Sequence, residues 1–390
     1  MPSAEPDPGV VDALARRLRP GMRVLVADGA GAPRELLRAL PAAAERSGPV
    51  ELVLGWCLEP PEGLDSPGFS RVLGFVASDG AGPQMVAGPI EYVPVRLSSL
   101  TALLAGPWRP DLLLVAAAEV DDGIVLGTEA AWIPTAIEHA GAVAVGLDRG
   151  LPQAVAARPL RPGGFEVVAE SEEGAVAVPR PQPTEVDREV GARVAALLPE
   201  AAHVQFGPGA IGEALLGAVQ RPVSVWSGVV TEAVVDLDAR GLLRDAVGSY
   251  AIGGEELWEW CRRAVPLERL ETTHDPARLR ELPFVAVNTA LLVDRSGQVG
   301  VESIGRRRLG AVGGHPDFAL CGSLAPAGLS VVALPTERNG HTTLVEALAE
   351  PVSTTRYDVD VVVTERGVAD LRGLGESERE AALLGLWAFG

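Results

Sequence analysis

Short apolar runs, each followed by a glycine- or proline-containing turn and then an amphipathic segment, recur along the whole chain. The first unit has an apolar run over 23–27, a glycine-rich turn over 28–33 and helical spacing over 34–40. Continuous apolar runs of this length are typical of strands buried on both faces, which occur mainly in parallel sheets covered by helices. The pattern therefore predicts an α/β fold with mostly parallel sheets flanked by helices.

The same reasoning predicts the individual elements. Strands are expected at 23–27, 51–54, 112–117, 142–147, 202–206, 223–226, 284–288, 330–334 and 358–364. Helices are expected at 34–40, 129–139, 185–198, 210–219, 232–242 and 255–264. The segment 129–139 lies between two apolar runs, where a crossover helix would connect parallel strands.

A proline-rich stretch divides the chain near its middle. Residues 179–183 read Pro-Arg-Pro-Gln-Pro, a composition typical of stiff linkers. Thr184 follows in the position of an N-cap for the helix at 185–198. We therefore expect two similar α/β domains, one over residues 1–180 and one over residues 181–390.

Charge and hydropathy narrow the classes of function. The 390 residues carry a formal net charge of −19, which disfavours nucleic-acid partners and anionic membrane surfaces. No apolar run approaches the ~18–20 residues that span a bilayer. The acidic, proline-rich beginning has neither the basic nor the apolar region of a signal peptide. These features predict a cytoplasmic protein that does not bind membranes or nucleic acid.

Residue usage also limits the chemistry. All 33 basic residues are arginine, so no lysine Schiff base can form. The three cysteines are far apart and no CxxC pair occurs, which disfavours a disulfide framework. His139, His203 and His274 lack the spacing of metal ligands. We expect no metal.

Several segments occur in an order that resembles the acetyl-CoA hydrolase/transferase family. They are Gln205–Ile211 (QFGPGAI), Val234–Leu237 (VVDL), Val287–Gly305 with its VNTA, GQV and ESIG motifs, Val312–Phe318 (VGGHPDF), Val332–Pro335 (VALP) and Val362–Leu371 (VVTERGVADL). This family includes acetate, succinate and 4-hydroxybutyrate CoA-transferases. The resemblance implies a CoA-transferase-like fold, an acyl-CoA substrate, and a small carboxylic acid or water as the second substrate.

The glycine turns are candidate binding elements. Gly207 and Gly209 lie between a predicted strand and a helix that begins with Ala210 and Ile211, where free N–H groups could hold the phosphates of coenzyme A. Gly313 and Gly314 could bring backbone N–H groups to an oxyanion. The alternative for both segments is an ordinary tight turn without a ligand.

Three polar residues complete the candidate site. Asn288 ends a buried strand and could donate its amide to a substrate carbonyl, or bridge two strands structurally. His315 follows the glycine pair and could activate water as a general base, or serve as a neutral hydrogen-bonding residue. Arg338 follows a strand and could meet a phosphate of coenzyme A.

The carboxylate nucleophile that the resemblance implies falls on a residue without a carboxylate. Aligned on the VVDL motif, the position is Gly228, and a second family carboxylate falls on Leu292. Glu232 is the nearest acid, where it could favour a helix N-terminus or act as a shifted nucleophile.

Two hypotheses follow. The first is an enzyme of acyl-CoA thioester chemistry, a CoA-transferase or acyl-CoA hydrolase with an altered nucleophile. The second is a non-catalytic homologue that binds coenzyme A or acyl-CoA as a sensor or partner subunit. The sequence leaves open the acyl group, the acceptor, and whether the chain forms a homo-oligomer.

Overall fold

A computed structural model describes residues 5–59, 61–77, 81–121, 123–153, 160, 163–264 and 267–388. The first part of the chain contains helices α1 Pro8–Ala15, α2 Arg34–Ser47, α3 Gly82–Ala87, α4 Leu100–Ala105 and α5 Ile133–His139. Its strands are β1 Arg23–Val26, β2 Val50–Leu54, β3 Phe69–Gly74, β4 Ile90–Tyr92, β5 Leu112–Val120, β6 Gly123–Val125, β7 Ala142–Asp148 and β8 Glu166–Ser171.

The remaining helices are α6 Glu185–Leu197, α7 Ala210–Ala218, α8 Glu232–Ala239, α9 Glu255–Ala264, α10 Leu270–Thr273, α11 Pro276–Leu279, α12 His315–Leu324 and α13 Glu376–Trp387. The longer strands are β9 His203–Gln205, β10 Val223–Trp226, β12 Leu243–Val247, β14 Phe284–Thr289, β19 Leu329–Ala333, β23 Val361–Thr364 and β24 Gly367–Asp370. The short strands are β11 Val229–Val230, β13 Tyr250–Ala251, β15 Leu292–Asp294, β16 Val299–Gly300, β17 Ser303–Ile304, β18 Arg307–Arg308, β20 Glu337–Arg338, β21 His341–Thr342 and β22 Leu344–Val345.

Two large sheets organise the molecule. The first sheet has the order β4-β3-β2-β1-β5-β7-β8, and β6 pairs with β5. The second sheet has the order β12-β10-β9-β14-β19-β23-β24. All pairings along the two paths are parallel except β23 with β24. The mostly parallel α/β fold predicted from the apolar runs is confirmed.

One hydrophobic cluster joins the two sheets. It includes Leu113 and Val145 of the first sheet and Val204 and Val331 of the second, all of them fully buried. The residues just before the proline-rich stretch lie against both parts of the chain: Val176 N donates to Ala30 O (2.8 Å), and Val178 N to Gly253 O (2.9 Å). Because the two parts of the chain share this hydrophobic core, the division into two domains at residue 180 stays a proposal.

Helix ends follow local signals where tertiary pairing does not intervene. The side chain of Thr184 accepts from Asp187 N at 3.2 Å, and Asp187 Oδ2 accepts from Thr184 N at 2.8 Å. This capping box confirms the predicted start of α6. The helix predicted over 232–242 is too long at its end, because Gly241 has φ +68° and stops α8 at Ala239.

The helix predicted over 129–139 is wrong in its first turn. α5 begins only at Ile133. Residues 129–131 are not helical: Glu129 forms an isolated bridge with Tyr250, and Ala131, with φ +47°, forms one with Arg269. These backbone pairs connect the first part of the chain to the second, so tertiary contacts replace the helical hydrogen bonds.

Candidate functional site

Parallel strands place their carboxyl ends along one edge of the second sheet, where ligands of open α/β sheets usually bind. β9 leads into the turn at Gly207–Gly209 and then into α7. β10 leads to Ser227 and Gly228, and β14 carries Asn288 one residue before its end. Ser227 Oγ donates to Phe206 O at 2.9 Å, which joins the ends of β9 and β10. The crossover helix α12 starts at the same edge.

The Gly207–Gly209 turn is open. A Cβ at either glycine would meet no atom within 4 Å. Gly209 is the N-cap of α7 and makes no side-chain capping bond, so the N–H groups of the helix start are available to a ligand. Glu213 in the first turn is buried, but its charge is matched by an ion pair with Arg180 at 2.6 Å.

The Gly313–Gly314 loop is fixed by the first part of the chain. Gly313 has φ +56°, a conformation that favours glycine, and its carbonyl accepts from Leu97 N at 3.1 Å. Asp317, in the first turn of α12, accepts from Ser98 N (3.0 Å) and Ser98 Oγ (2.6 Å). The loop and the start of α12 are therefore positioned by the segment that precedes α4.

Asn288 and His315 both carry unpaired polar atoms. Asn288 is 7% exposed and His315 is 8% exposed. Among the described residues, neither Asn288 Nδ2 nor His315 Nε2 has a hydrogen-bond partner. Burial lowers the pKa of His315 to about 4, so the ring is neutral at pH 7. Buried polar groups are normally paired, which makes these two unpaired nitrogens candidate ligand contacts.

Glu232 is engaged in structural contacts. It is the first residue of α8, and its Oε1 accepts from Gly254 N at 2.7 Å. A Cβ at Gly253 would collide with the same carboxylate. The nearest atoms to a Cβ placed at Gly228 belong to His274 and Phe318, not to Glu232. The carboxylate thus joins α8 to the chain before α9.

His274, which is not among the predicted site residues, lies beside Gly228 and Gly314. A Cβ at Gly314 would lie 2.6 Å from His274 Nε2, and one at Gly228 would lie 3.6 Å from the same atom. The His274 ring stacks on Phe318 with centroids 4.4 Å apart. No motif pointed to this residue, because it follows the four-residue helix α10 and belongs to no periodic pattern.

Arg338 and Leu292 lie in small accessory strands. Arg338 forms the β20–β21 hairpin with His341, and its Nη2 is 3.5 Å from Ala290 O. Leu292 is buried in β15. The structure therefore places Gly228, Gly313, Gly314 and His315 near one another, whereas Arg338 is held near the chain that follows β14.

Two kinds of feature are absent from the described residues. No helix there is long and apolar enough to cross a membrane. No group of three or more His, Cys, Asp or Glu side chains in that part of the chain is arranged to hold a metal ion.

Known proteins are similar to this chain in sequence and in fold. A sequence model of the acetyl-CoA hydrolase/transferase C-terminal domain matches residues 253–387. The 4-hydroxybutyrate coenzyme A transferase of Clostridium kluyveri is 24% identical over 321 residues, covering 77% of this chain and 75% of that protein. The acetyl-CoA hydrolase of Saccharomyces cerevisiae is 30% identical over 202 residues, covering 48% of this chain and 37% of that protein.

Solved structures agree in fold. RipA from Yersinia pestis has a TM-score of 0.86 at 20% identity, covering 97% of this chain and 93% of that one. A 4-hydroxybutyrate CoA-transferase from Porphyromonas gingivalis has a TM-score of 0.79 at 19% identity, with the same coverage. The fold is CoA-transferase-like. The matched C-terminal domain and the similar transferases and hydrolases agree with the motif order: the chain resembles the acetyl-CoA hydrolase/transferase family, and residues 253–387 match the model of its C-terminal domain.

Proposed function

We propose that this protein acts on acyl-CoA thioesters, with the acyl group bound between Gly228 and the Gly313–Gly314 loop. One observation carries the proposal: the buried amide of Asn288 and the buried imidazole of His315 have unpaired nitrogens at the edge where that loop begins α12. Leaving such a group unsatisfied costs about 1–3 kcal/mol. A thioester carbonyl would supply the missing acceptor for the amide.

The phosphates of coenzyme A fit the start of α7. Its first N–H groups have no intrahelical acceptor, and Gly207 and Gly209 leave the space in front of them free of side chains. A helix N-terminus favours an anion through the aligned peptide dipoles. This local preference allows an anionic substrate to bind a protein of net charge −19.

Hydrolysis is favoured over transfer through a glutamyl-CoA intermediate. Transfer of that kind needs a carboxylate that accepts the acyl group and then coenzyme A. Gly228 has no side chain, and Glu232 is held by Gly254 N. Water needs no enzyme carboxylate, and the neutral ring of His315 can accept a proton from it, although a pKa of about 4 limits its strength as a base.

The absent carboxylate also supports the second candidate function. A chain with the glycine loops but no nucleophile would bind coenzyme A or acyl-CoA without turnover, as a sensor or as the partner of an active subunit. The two candidates differ in one measurable quantity, the release of thiol from a bound acyl-CoA.

The test measures thiol release from acetyl-, succinyl- and 4-hydroxybutyryl-CoA, and formation of labelled acetyl-CoA when each thioester is incubated with labelled acetate. Borohydride trapping followed by mass spectrometry detects a glutamyl-CoA adduct. We expect the wild-type protein to release thiol without an adduct. Gly228→Glu should form one, because a Cβ there makes only an ordinary 3.5 Å contact with His274 Cε1 and the backbone is not left-handed.

The other outcomes separate the alternatives. Binding of acyl-CoA by calorimetry without thiol release supports the non-catalytic homologue. A wild-type protein that neither binds nor cleaves any of the three thioesters overturns the proposal. If wild type transfers CoA to acetate and Glu232→Ala abolishes both that transfer and a trapped adduct, then Glu232 is the nucleophile.

A further inference from the structure

The imidazole of His274 lies directly beside the proposed acyl site. We propose that His274 is a further catalytic residue, whose Nε2–H donates a hydrogen bond to the carbonyl oxygen of an acyl-CoA bound between Gly228 and Gly314. The inference rests on the proposed function and adds a donor that the family resemblance does not supply. It stands on the position of the ring, its unpaired nitrogen and the hydroxyl groups behind it.

The ring is buried but its outer nitrogen is unpaired. His274 is 2% exposed, and Nε2 has no hydrogen-bond partner among the described residues. Gly228 and Gly314, the residues on either side of that nitrogen, are both partly exposed. A side chain at Gly314 would cover Nε2, since its Cβ would lie 2.6 Å away. Two residues without side chains thus border a buried, unpaired imidazole nitrogen.

The hydroxyl groups behind the ring set its tautomer. Ser249 Oγ lies 2.6 Å from Thr273 Oγ1, which lies 2.9 Å from His274 Nδ1. If Ser249 donates to Thr273 and Thr273 donates to Nδ1, every hydroxyl proton is used and the ring carries its proton on Nε2. The reverse direction leaves the Ser249 hydroxyl proton unpaired as well as Nε2. Because Ser249 and Thr273 are fully buried, the first arrangement is the more stable.

The surroundings make the ring a neutral donor and not a base. The groups hydrogen-bonded in sequence behind Nδ1 are the hydroxyls of Thr273 and Ser249. This pair contains no carboxylate that would stabilise an imidazolium, as the aspartate of a catalytic triad does. Burial lowers the pKa of His274 to about 3. When a nucleophile adds to the carbonyl carbon, negative charge develops on the oxygen, and a fixed N–H stabilises that charge while keeping its proton.

The experiment replaces the donor while keeping the ring. His274→Phe retains packing on Phe318 but has no N–H, and we expect kcat for thioester cleavage to fall about 100- to 1000-fold with KM nearly unchanged. His274→Gln places an amide N–H near the position of Nε2 and should recover at least about tenfold of that loss. His203→Phe is the matched control: this half-buried histidine begins β9, at the opposite end of the strand from Gly207, and its replacement should leave kcat within about threefold.

A second measurement does not depend on turnover. Long-range ¹H–¹⁵N correlation spectra of the wild-type protein distinguish the two tautomers of His274. We expect the Nε2–H form, and a shift of that proton when the acetonyl thioether of coenzyme A binds. This analogue keeps the carbonyl oxygen but has no thioester bond. If His274→Phe does not fold, the spectra and the Gln variant still decide the question.

Different results would overturn the role of His274 and the proposed function. An active wild-type protein whose His274→Phe variant keeps kcat within about threefold overturns the role of His274 but leaves the proposed function intact. So does an Nδ1–H tautomer, or an analogue that binds without shifting the His274 signals. A wild-type protein that neither binds the analogue nor cleaves any thioester overturns the proposed function, and the role of His274 with it.

Discussion

Two glycines at the carboxyl edge of the second sheet lack a side chain in two different surroundings. A Cβ at Gly209, at the start of α7, would meet no neighbouring atom, so the absence of a side chain there leaves room for a ligand. Gly228 borders the buried ring of His274, and a Cβ there would lie 3.5 Å from His274 Cε1, at ordinary contact distance. Neither has a positive φ. Side-chain size, not backbone conformation, is therefore what these two positions restrict.

We expect Gly209→Asp to weaken binding of free coenzyme A by about tenfold or more, because a carboxylate at the helix start takes the place of a phosphate. The melting temperature should not fall, since Asp is a favourable N-cap and meets no neighbour. Isothermal calorimetry measures the affinity. Gly217→Asp adds the same charge at the exposed end of α7 and should change affinity less than about twofold. Equal weakening by both variants would show a long-range charge effect and contradict the site.

At the scale of the element, the apolar runs predicted the central strands closely, because buried parallel strands need continuous apolar sequence. The predicted strand over 223–226 and helix over 255–264 match β10 and α9 to the residue. Prediction failed where contacts distant in sequence decide, as in 129–131, whose backbone pairs with Tyr250 and Arg269. The glycine loops were predicted from motifs, whereas His274 was not, because only the fold brings its ring against Phe318 of α12.

Ser98, from the first part of the chain, contacts the start of α12 through Asp317. Ser98→Ala removes the hydroxyl that Asp317 accepts at 2.6 Å, and Asp317 is 2% exposed. We expect the free energy of unfolding to fall by about 1–3 kcal/mol and KM for acyl-CoA to rise, because the Gly313–Gly314 loop precedes this turn. Urea denaturation and steady-state kinetics measure the two effects.

Ser323→Ala is the control for this prediction. Ser323 lies near the other end of α12, and within the part of the chain that the structure describes its hydroxyl donates to Leu320 O of the same helix, at 3.0 Å. Its loss should cost less than about 1 kcal/mol and leave KM unchanged. If the two variants behave alike, the contact from the first part of the chain does not position the loop.

At the scale of the whole molecule, two buried acids lie where the two parts of the chain meet. Tyr250 of β13 donates to Asp28 Oδ1 at 3.1 Å, and Trp56 N donates to Asp28 Oδ2 at 2.8 Å. Glu129 accepts from Thr128 Oγ1 at 2.7 Å. Burial raises the pKa of Asp28 to about 6 and that of Glu129 to about 8. The interface is therefore most stable with these groups protonated.

These two buried acids make the free energy of unfolding fall as pH rises, whereas paired surface acids make it rise. The folded pKa of Glu129 lies above its unfolded value of about 4.3, so the folded state binds more protons between pH 4.3 and 8, and its contribution to stability falls as pH rises through that range. Glu129→Gln cannot ionise and should escape this loss. By calorimetry, we expect the difference in melting temperature between Glu129→Gln and wild type to be about 2–4 °C larger, in favour of the variant, at pH 8 than at pH 5.

The control is Glu200→Gln, at an exposed position, whose melting temperature relative to wild type should show no such trend. A difference between Glu129→Gln and wild type that stays constant from pH 5 to 8 would mean that Glu129 ionises in the folded protein as it does in the unfolded chain, and the interface would then tolerate a buried charge.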